Sequence, residues 1–194
     1  MKRIFIASEI IPGKEFERIF SVLRQLPGNE RIKWVEYKNI HITLAFLGDT
    51  TADRIKAVVR MLKEKCEGSG EFDFSLRGLG VFKNFKDPRV IWAGIEHSDR
   101  LDKLHNLIRT GLVECSLPVE DRAFKPHLTL GRIRELKNTG TLQEFIEKFR
   151  DTEIQKVHVS EIILYESVLL PSGPLYKPLK KFRLSDSLPG EHNP

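Results

Sequence analysis

Hydrophobic residues recur with the 3.6-residue period of an amphipathic helix in four separate segments of the chain. The predicted helices span residues 12–26, 51–66, 98–113 and 141–150. Pro27 and Gly28 end the first segment, whereas Thr141 and Glu144 open the fourth with a capping-box pattern. Each helix has one apolar face, which we expect to point inward.

Runs of β-branched and aromatic residues lie between these helices and predict strands. They span residues 3–8, 32–35, 41–47, 72–81, 90–95, 127–133, 154–165 and 176–184. The runs over 72–81 and 90–95 follow each other with no room for a crossover helix, which excludes a purely parallel sheet. The pattern therefore predicts an α+β fold with antiparallel sheets.

Two of the predicted strands open with the same pattern of histidine, a hydrophobic residue, threonine and leucine. One copy begins at His41 and the other at His127, about half the chain apart. This spacing suggests two similar lobes related by a pseudo-twofold axis, with a groove between them. Because side chains alternate along a strand, His41 shares a face with Thr43, and His127 with Thr129.

The same alternation predicts the orientation of the neighbouring residues. Ala45 and Gly131 follow on the polar face, where their small side chains leave space. Phe46 falls on the core face, and Trp92 is also expected in the core. Arg132 falls on the face opposite His127 unless the strand bulges just after Gly131.

Paired imidazoles and hydroxyls suit phosphodiester cleavage. One neutral imidazole can act as a general base, a protonated one as a general acid, and the hydroxyls can donate to phosphoryl oxygens. One such motif alone would more often be structural, but two copies favour chemistry. Zinc is the competing interpretation, yet neither motif contains a carboxylate, and the sequence has no His-x-His or His-Glu-x-x-His pattern. The other histidines, interpreted as structural or solvated, are His97, His105, His158 and His192.

Length and composition bound the class of protein. A chain of 194 residues supports one domain of two intimate lobes, which we expect over residues 1–184, followed by a flexible polar tail over 185–194. Its two cysteines exclude a disulfide framework and a cysteine-based zinc site. No apolar run is long enough for a membrane span or a signal peptide, so we expect a cytoplasmic protein.

The net charge of +5 makes a polyanionic partner plausible. Five cations and one acid lie in residues 122–137, and four cations with no acid lie in residues 176–183. Each patch alone is more often a solubilising surface.

The paired motifs resemble those of the two-histidine (2H) phosphoesterase superfamily, and within it the RNA 2′,3′-cyclic phosphodiesterase family, also called the 2′-5′ RNA ligase family. The resemblance runs from about residue 3 to residue 184. The chain departs slightly at Gly131, where relatives often have alanine. Besides the motifs, the resemblance rests on residues 34–35, 46–48, 88–94, 126, 161–167 and 173–176.

The resemblance implies a bilobal α+β fold, with a groove between two antiparallel sheets. It implies hydrolysis of RNA 2′,3′-cyclic phosphate ends to 2′-phosphomonoesters without a metal or cofactor, and in reverse the joining of RNA ends. It implies that His41 is the proton donor and His127 the proton acceptor, with Thr43 and Thr129 as phosphate-binding hydroxyls. The expected partner is RNA with a cyclic phosphate end, tRNA fragments among the candidates, and the expected state is a monomer.

Five further residues are candidates for RNA binding. Lys125, Arg132 and Arg89 are expected to hold upstream phosphates. Tyr37 and Phe85 lie in loop-like segments and could stack on a terminal base. Two alternatives stay open: an RNA-binding module without turnover, and a phosphodiesterase for a small cyclic nucleotide.

Overall fold

The computed structural model describes residues 1–27, 31–96, 98–121, 123–136, 139–171 and 173–184. The predicted tail over 185–194, which contains His192, and the position of His97 lie outside these residues. The described strands are β1 (Lys2–Glu9), β2 (Ile32–Trp34), β3 (His41–Thr50), β4 (Phe72–Phe82), β5 (Val90–Ile95), β6 (His127–Ile133), β7 (Glu153–Val159), β8 (Glu161–Leu170) and β9 (Gly173–Arg183). The described α-helices are α1 (Lys14–Arg24), α2 (Ala52–Cys66), α3 (Asp99–Glu114) and α4 (Gly140–Lys148).

These strands form two sheets. One sheet has four strands in the order β3-β1-β8-β9, and the other has five in the order β2-β6-β5-β4-β7. Every described pairing is antiparallel. Helices α2 and α3 pack against the first sheet, and α1 and α4 against the second. The predicted α+β fold with two antiparallel sheets is therefore confirmed.

The two sheets are not consecutive halves of the chain, as a simple duplication would suggest. The C-terminal strands β8 and β9 return to the sheet of β1 and β3, while β2 joins the sheet formed mainly by later strands. The chain thus crosses between the sheets several times. Both sheets contribute to one continuous core, because buried residues of all these strands pack together.

The predicted strand over 154–165 is wrong, since this run forms two strands in different sheets. Strand β7 ends at Val159 and β8 begins at Glu161, and the carbonyl of the intervening Ser160 accepts from Leu184 N–H at 2.9 Å. Both strands present apolar residues to the same core, so the hydrophobic run continues across the break. Only the strand partners reveal the change of sheet.

The helices end within a few residues of their predicted limits and bury the predicted faces. The capping box predicted at Thr141 is wrong, however, because Thr141 already lies inside α4 and the N-cap is Thr139, with no side-chain cap bond. Helix α3 does have a side-chain cap, since Leu101 N–H donates to Ser98 Oγ at 3.3 Å. None of the described helices combines the length and apolar character that crossing a membrane requires.

Candidate active site

The two motif strands meet although they belong to different sheets. Strand β3 is an edge strand of the four-stranded sheet, β6 lies between β2 and β5, and β3 and β6 are in contact. His41 and His127 are the first residues of these strands and open into one groove of about 900 Å³. Thr43 and Thr129 line the same groove. The four predicted catalytic side chains are thus brought together.

Both imidazoles are held by the backbone in the same way. His41 Nδ1 lies 2.7 Å from the carbonyl oxygen of Asn39, and His127 Nδ1 lies 2.7 Å from that of Lys125. A carbonyl oxygen only accepts, so Nδ1 carries the proton in each ring. When neutral, each ring therefore has its unprotonated nitrogen at Nε2, which is available to a reactant.

The aromatic surroundings of the two histidines differ. The ring of His41 lies 5.1 Å from that of Phe5 and 5.2 Å from that of Tyr176, between centroids. His127 has an edge contact with Phe82 at 4.7 Å. Phe46 in turn packs against Phe5, with ring centroids 6.0 Å apart, so a cluster of aromatic rings extends from His41 along the groove.

These surroundings shift the pKa of His41. Burial is the largest cause and lowers the pKa below the usual histidine range, while the hydrogen bond to the Asn39 carbonyl opposes that effect. The positive charges of Arg132 and His127 lower the pKa further. The imidazole of His41 is therefore biased toward its neutral form until a negative charge enters the groove.

A bulge at the same place in each motif changes which side chains face the groove. The pairing of β3 with β1 skips Leu44, and the pairing of β6 with β5 skips Leu130. Each leucine is the fourth residue of its motif, and the extra residue reverses the alternation beyond it. Phe46 and Arg132, each five residues after its histidine, consequently line the groove.

Both residues depart from simple alternation. The prediction that Phe46 is a core residue is wrong, because its side chain is 50% exposed. Arg132 reaches the groove by a bulge, as the prediction required, but the bulge is at Leu130 and so precedes Gly131.

The small residue that comes two positions after the threonine also differs between the motifs. Ala45 lines the groove, whereas a Cβ on Gly131 would lie 2.8 Å from the Trp34 ring, so that glycine makes room for packing.

The predicted RNA-binding cations are only partly at the groove. Lys125 and Arg132 line it. Arg89 is not among its described lining residues, and its Nε bonds to Asp87 Oδ1 at 2.9 Å. The structure therefore places two of these three cations beside the histidines.

The basic cluster near the C-terminus lies on strand β9, outside the described groove lining. Lys181 in this cluster pairs with Glu161 at 2.7 Å. Its other cations, Lys177, Lys180 and Arg183, have exposed side chains. They form a separate surface on the four-stranded sheet.

The two predicted stacking residues do not line the groove either, within the described part of the chain. Tyr37 lies in a short 3₁₀ turn and has an edge contact with the Phe20 ring at 5.6 Å. Phe85 is half-buried against the core. Phe46, which the sequence predicted to be a core residue, does line the groove.

Sequence reasoning missed several groove residues. Phe5 of β1 and Tyr176 of β9 flank the ring of His41, whereas Arg3 of β1 lines the groove farther along, where its strand partner is Asp49. Only the strand order β3-β1-β8-β9 brings these residues to one groove. Tyr176 lay in one of the stretches that carried the resemblance, which was a usable signal. At the other end of the groove lies His105, whose position on α3 had no local context that pointed to a site.

The described polar residues that line the groove are mainly imidazoles, hydroxyls and cations, together with the carboxylate of Glu120 and the amide of Asn39. Among the described residues, no three histidine, cysteine, aspartate or glutamate side chains cluster in a way that could hold a metal ion. Cys66 is buried and Cys115 half-buried, both as free thiols. The arrangement is suited to proton transfer to and from an anionic substrate.

Comparison with known proteins gives a consistent match. The model of the 2′-5′ RNA ligase superfamily matches residues 18–168. The RNA 2′,3′-cyclic phosphodiesterase of Methanothermobacter thermautotrophicus is 32% identical over 184 residues, covering 94% of this chain and 98% of that protein. The enzyme of the same name from Archaeoglobus fulgidus is 31% identical over 180 residues, covering 93% of this chain and 99% of that protein.

The fold is matched as well as the sequence. The crystal structure of E. coli LigT complexed with 3′-AMP superposes with a TM-score of 0.76 at 26% identity, covering 95% of this chain and 99% of that one. The similarity in sequence to these relatives extends over nearly the whole chain, and the solved structure has the same overall fold. The protein belongs to the 2′-5′ RNA ligase superfamily of two-histidine phosphoesterases.

Proposed function

We propose that the protein hydrolyses 2′,3′-cyclic phosphate ends of RNA to 2′-phosphomonoesters. The observation that carries the proposal is the matched pair of histidines, which enter one groove from different sheets. In each ring, Nδ1 is bonded to a backbone carbonyl. A module that only binds RNA would not require such a matched pair. The relatives named RNA 2′,3′-cyclic phosphodiesterase support the substrate class.

In the proposed reaction, His127 is the proton acceptor and His41 the proton donor. His127 Nε2 takes a proton from water as the water oxygen forms a bond to phosphorus. The bond from phosphorus to the ribose 3′ oxygen breaks, and His41 Nε2 protonates that oxygen. The phosphate stays on the 2′ oxygen, and exchange of protons with solvent restores both imidazoles.

The lowered pKa of His41 is compatible with its role as donor. Burial and the charges of Arg132 and His127 favour the neutral ring in the free protein. A phosphate anion bound between the two histidines offsets these positive charges and raises the pKa of His41. The substrate therefore promotes the protonation that its own cleavage requires.

Thr43, Thr129 and Arg132 act on the phosphoryl oxygens. All three line the groove with the histidines. The hydroxyls donate hydrogen bonds, and the guanidinium supplies positive charge as negative charge develops on the non-bridging oxygens.

Ligation of RNA ends is the same displacement with a 5′-hydroxyl in place of water. His127 would take the proton of that hydroxyl, and a 2′-5′ linkage would form without ATP. Because water is abundant and RNA ends are scarce, we expect hydrolysis to dominate unless both ends are held together. tRNA fragments as substrates, a monomeric state, a cytoplasmic location and a single domain over residues 1–184 stay predictions.

The decisive experiment uses an oligonucleotide that ends in a 2′,3′-cyclic phosphate. Incubation with EDTA present should convert the end to a 2′-phosphate, identified by its resistance to a 3′-specific phosphatase and by its mass. His158→Ala is the matched control, because His158 is exposed on β7 and bonded to Asp73 and Glu71. It should react like the parent protein.

Three other outcomes would refute parts of the proposal. Binding of the oligonucleotide without turnover would favour the non-catalytic RNA module. Faster cleavage of a cyclic mononucleotide than of the oligonucleotide would favour the small-nucleotide alternative. Loss of turnover in EDTA with recovery on adding zinc would refute the metal-independent mechanism.

A further inference from the structure

The carbonyl that holds His127 belongs to the segment that joins α3 to β6. The described residues between Leu117 and Pro126 form neither helix nor strand. The segment is anchored at its start, where Leu117 N–H donates to the Leu112 carbonyl at 2.9 Å. Nothing in that anchor determines the position of Lys125, eight residues later, whose carbonyl must meet His127 Nδ1.

A ring stack anchors the other end of this segment. The imidazole of His105 on α3 lies parallel to the ring of Phe124, with centroids 3.9 Å apart and planes inclined by 5°. Both side chains are half-buried. Phe124 directly precedes Lys125, and Pro126 restricts Lys125 to extended backbone, so few bonds can rotate between the stack and the carbonyl.

The corresponding carbonyl of the first motif is anchored by hydrogen bonds instead. Asn39 ends a 3₁₀ turn in which Ile40 N–H donates to the Tyr37 carbonyl at 3.2 Å. The Asn39 side chain donates to the Pro174 carbonyl at 3.3 Å. Each catalytic imidazole therefore depends on a carbonyl two residues earlier, and each carbonyl is tied to a distant element.

We propose that His105 is a positioning residue: its stack on Phe124 holds the Lys125 carbonyl at His127 Nδ1 and keeps His127 Nε2 available to the reactant. The inference rests on the proposed function, in which His127 is the proton acceptor. A flat ring is what the position requires, rather than the proton chemistry of an imidazole. Burial, the largest cause, lowers the pKa of His105, which favours the neutral ring in the stack.

Kinetic tests compare variants that keep or lose the flat ring. His105→Leu keeps apolar bulk without a ring and should lower kcat about tenfold, because a misoriented general base loses part of its catalytic contribution, with KM changed less than about twofold. His105→Phe restores the ring and should return kcat to within about twofold of the parent. Phe124→Leu should match His105→Leu, and the double variant should lose little more, since both act through one contact.

His158→Ala serves as the histidine control and should leave kcat unchanged. If His105→Leu keeps the parental kcat, or if His105→Phe is as slow as His105→Leu, the proposal is refuted. His105→Ala is less informative about mechanism because it could destabilise the loop, so thermal melts should accompany every variant. A fall in Tm with an unchanged kcat in the folded fraction indicates a purely structural stack and also refutes the proposal.

A spectroscopic readout separates this inference from the proposed function. The ¹⁵N spectrum of neutral His127 should show a protonated Nδ1 and an unprotonated Nε2 in the parent and in His105→Phe. His105→Leu should show a mixture of the two tautomers. This measurement needs no turnover and therefore tests the stack even if the protein is inactive. Inactivity of the parent protein on a cyclic phosphate end would refute the proposed function. The spectra would still show whether the stack positions His127.

Discussion

The two motif strands share a backbone design but lie in different electrostatic surroundings. In both strands, the backbone carbonyl two residues before the histidine accepts a hydrogen bond from its Nδ1. In both, the leucine of the motif has no partner on the neighbouring strand, which creates a bulge. The side chain then turned into the groove is Phe46 in one strand and Arg132 in the other. The repeat thus supplies matched geometry, and the residues around it distinguish the two ends.

This difference in surroundings is compatible with the unequal roles that the proposed reaction gives to a nearly symmetrical pair of residues. His41 is enclosed by aromatic rings, and its pKa is lowered mainly by burial. The cation that adds to this effect, Arg132, comes from the second motif strand. Environment, and not the identity of the side chain, is what separates acids from bases in enzyme sites.

The largest expected effect is the loss of either imidazole. His41→Ala and His127→Ala should each lower kcat by about 10²–10⁴-fold, because each removes general acid or general base catalysis. Single-turnover assays on a cyclic-phosphate oligonucleotide measure the change. A variant of one histidine that retained parental kcat would show that the motifs are not a matched acid and base.

Loss of the cation from the second motif should have the next largest effect. Arg132→Gln should lower kcat/KM by about 10–100-fold, as expected when a charged hydrogen-bond donor to phosphate is removed. Because Arg132 lowers the pKa of His41, the variant should raise that pKa. If His41 is the donor, the alkaline limb of the pH profile should move to higher pH, whereas a shift to lower pH would contradict the assignment.

Phe46, at the equivalent position of the first motif, should affect binding rather than chemistry. Phe46→Ala should raise the oligonucleotide KM about tenfold with little change in kcat, as expected for a lost stacking contact with a base. Phe46→Trp retains a ring and should stay close to the parent. Equal KM values for Phe46→Ala and the parent would show that no base stacks there.

The two threonines should contribute less than the charged groups. Thr43→Ala and Thr129→Ala should each lower kcat by about 2–10-fold, because each removes one hydrogen bond from an uncharged donor. Thr43→Ser and Thr129→Ser keep the hydroxyl and provide matched controls. If the serine variants were as slow as the alanine variants, the methyl group and not the hydroxyl would be the contributing part.

The smallest effect is expected from the basic cluster on β9. Lys177→Ala with Lys180→Ala should change the oligonucleotide KM by less than about twofold, because neither side chain lines the described groove. Lys125→Ala, at the groove, should raise KM more and weaken its dependence on salt. A larger effect from the β9 pair would place the upstream RNA on the four-stranded sheet.

Helices and motif faces could be predicted from the sequence because they depend on local periodicity. The buried faces of the helices and the common face of His41 and Thr43 follow from the angle between successive side chains in a helix or a strand. Phe46 and Arg132 could not be placed, because a bulge arises only when a strand is paired with a particular neighbour. The run over 154–165 was misread for the same reason, since its two strands pair in different sheets.

The class of fold, the two motifs and the chemistry that their side chains can perform could all be inferred from the amino-acid sequence. The side chains that join the motifs depend on how the chain packs: Phe5 and Tyr176 beside His41, Arg132 in the groove, and His105 against Phe124. The physical reason is that side-chain chemistry and local periodicity are properties of a short segment. Burial, strand register and the field of neighbouring charges are properties of residues far apart in the chain, and these determine the pKa of His41 and the orientation of both imidazoles.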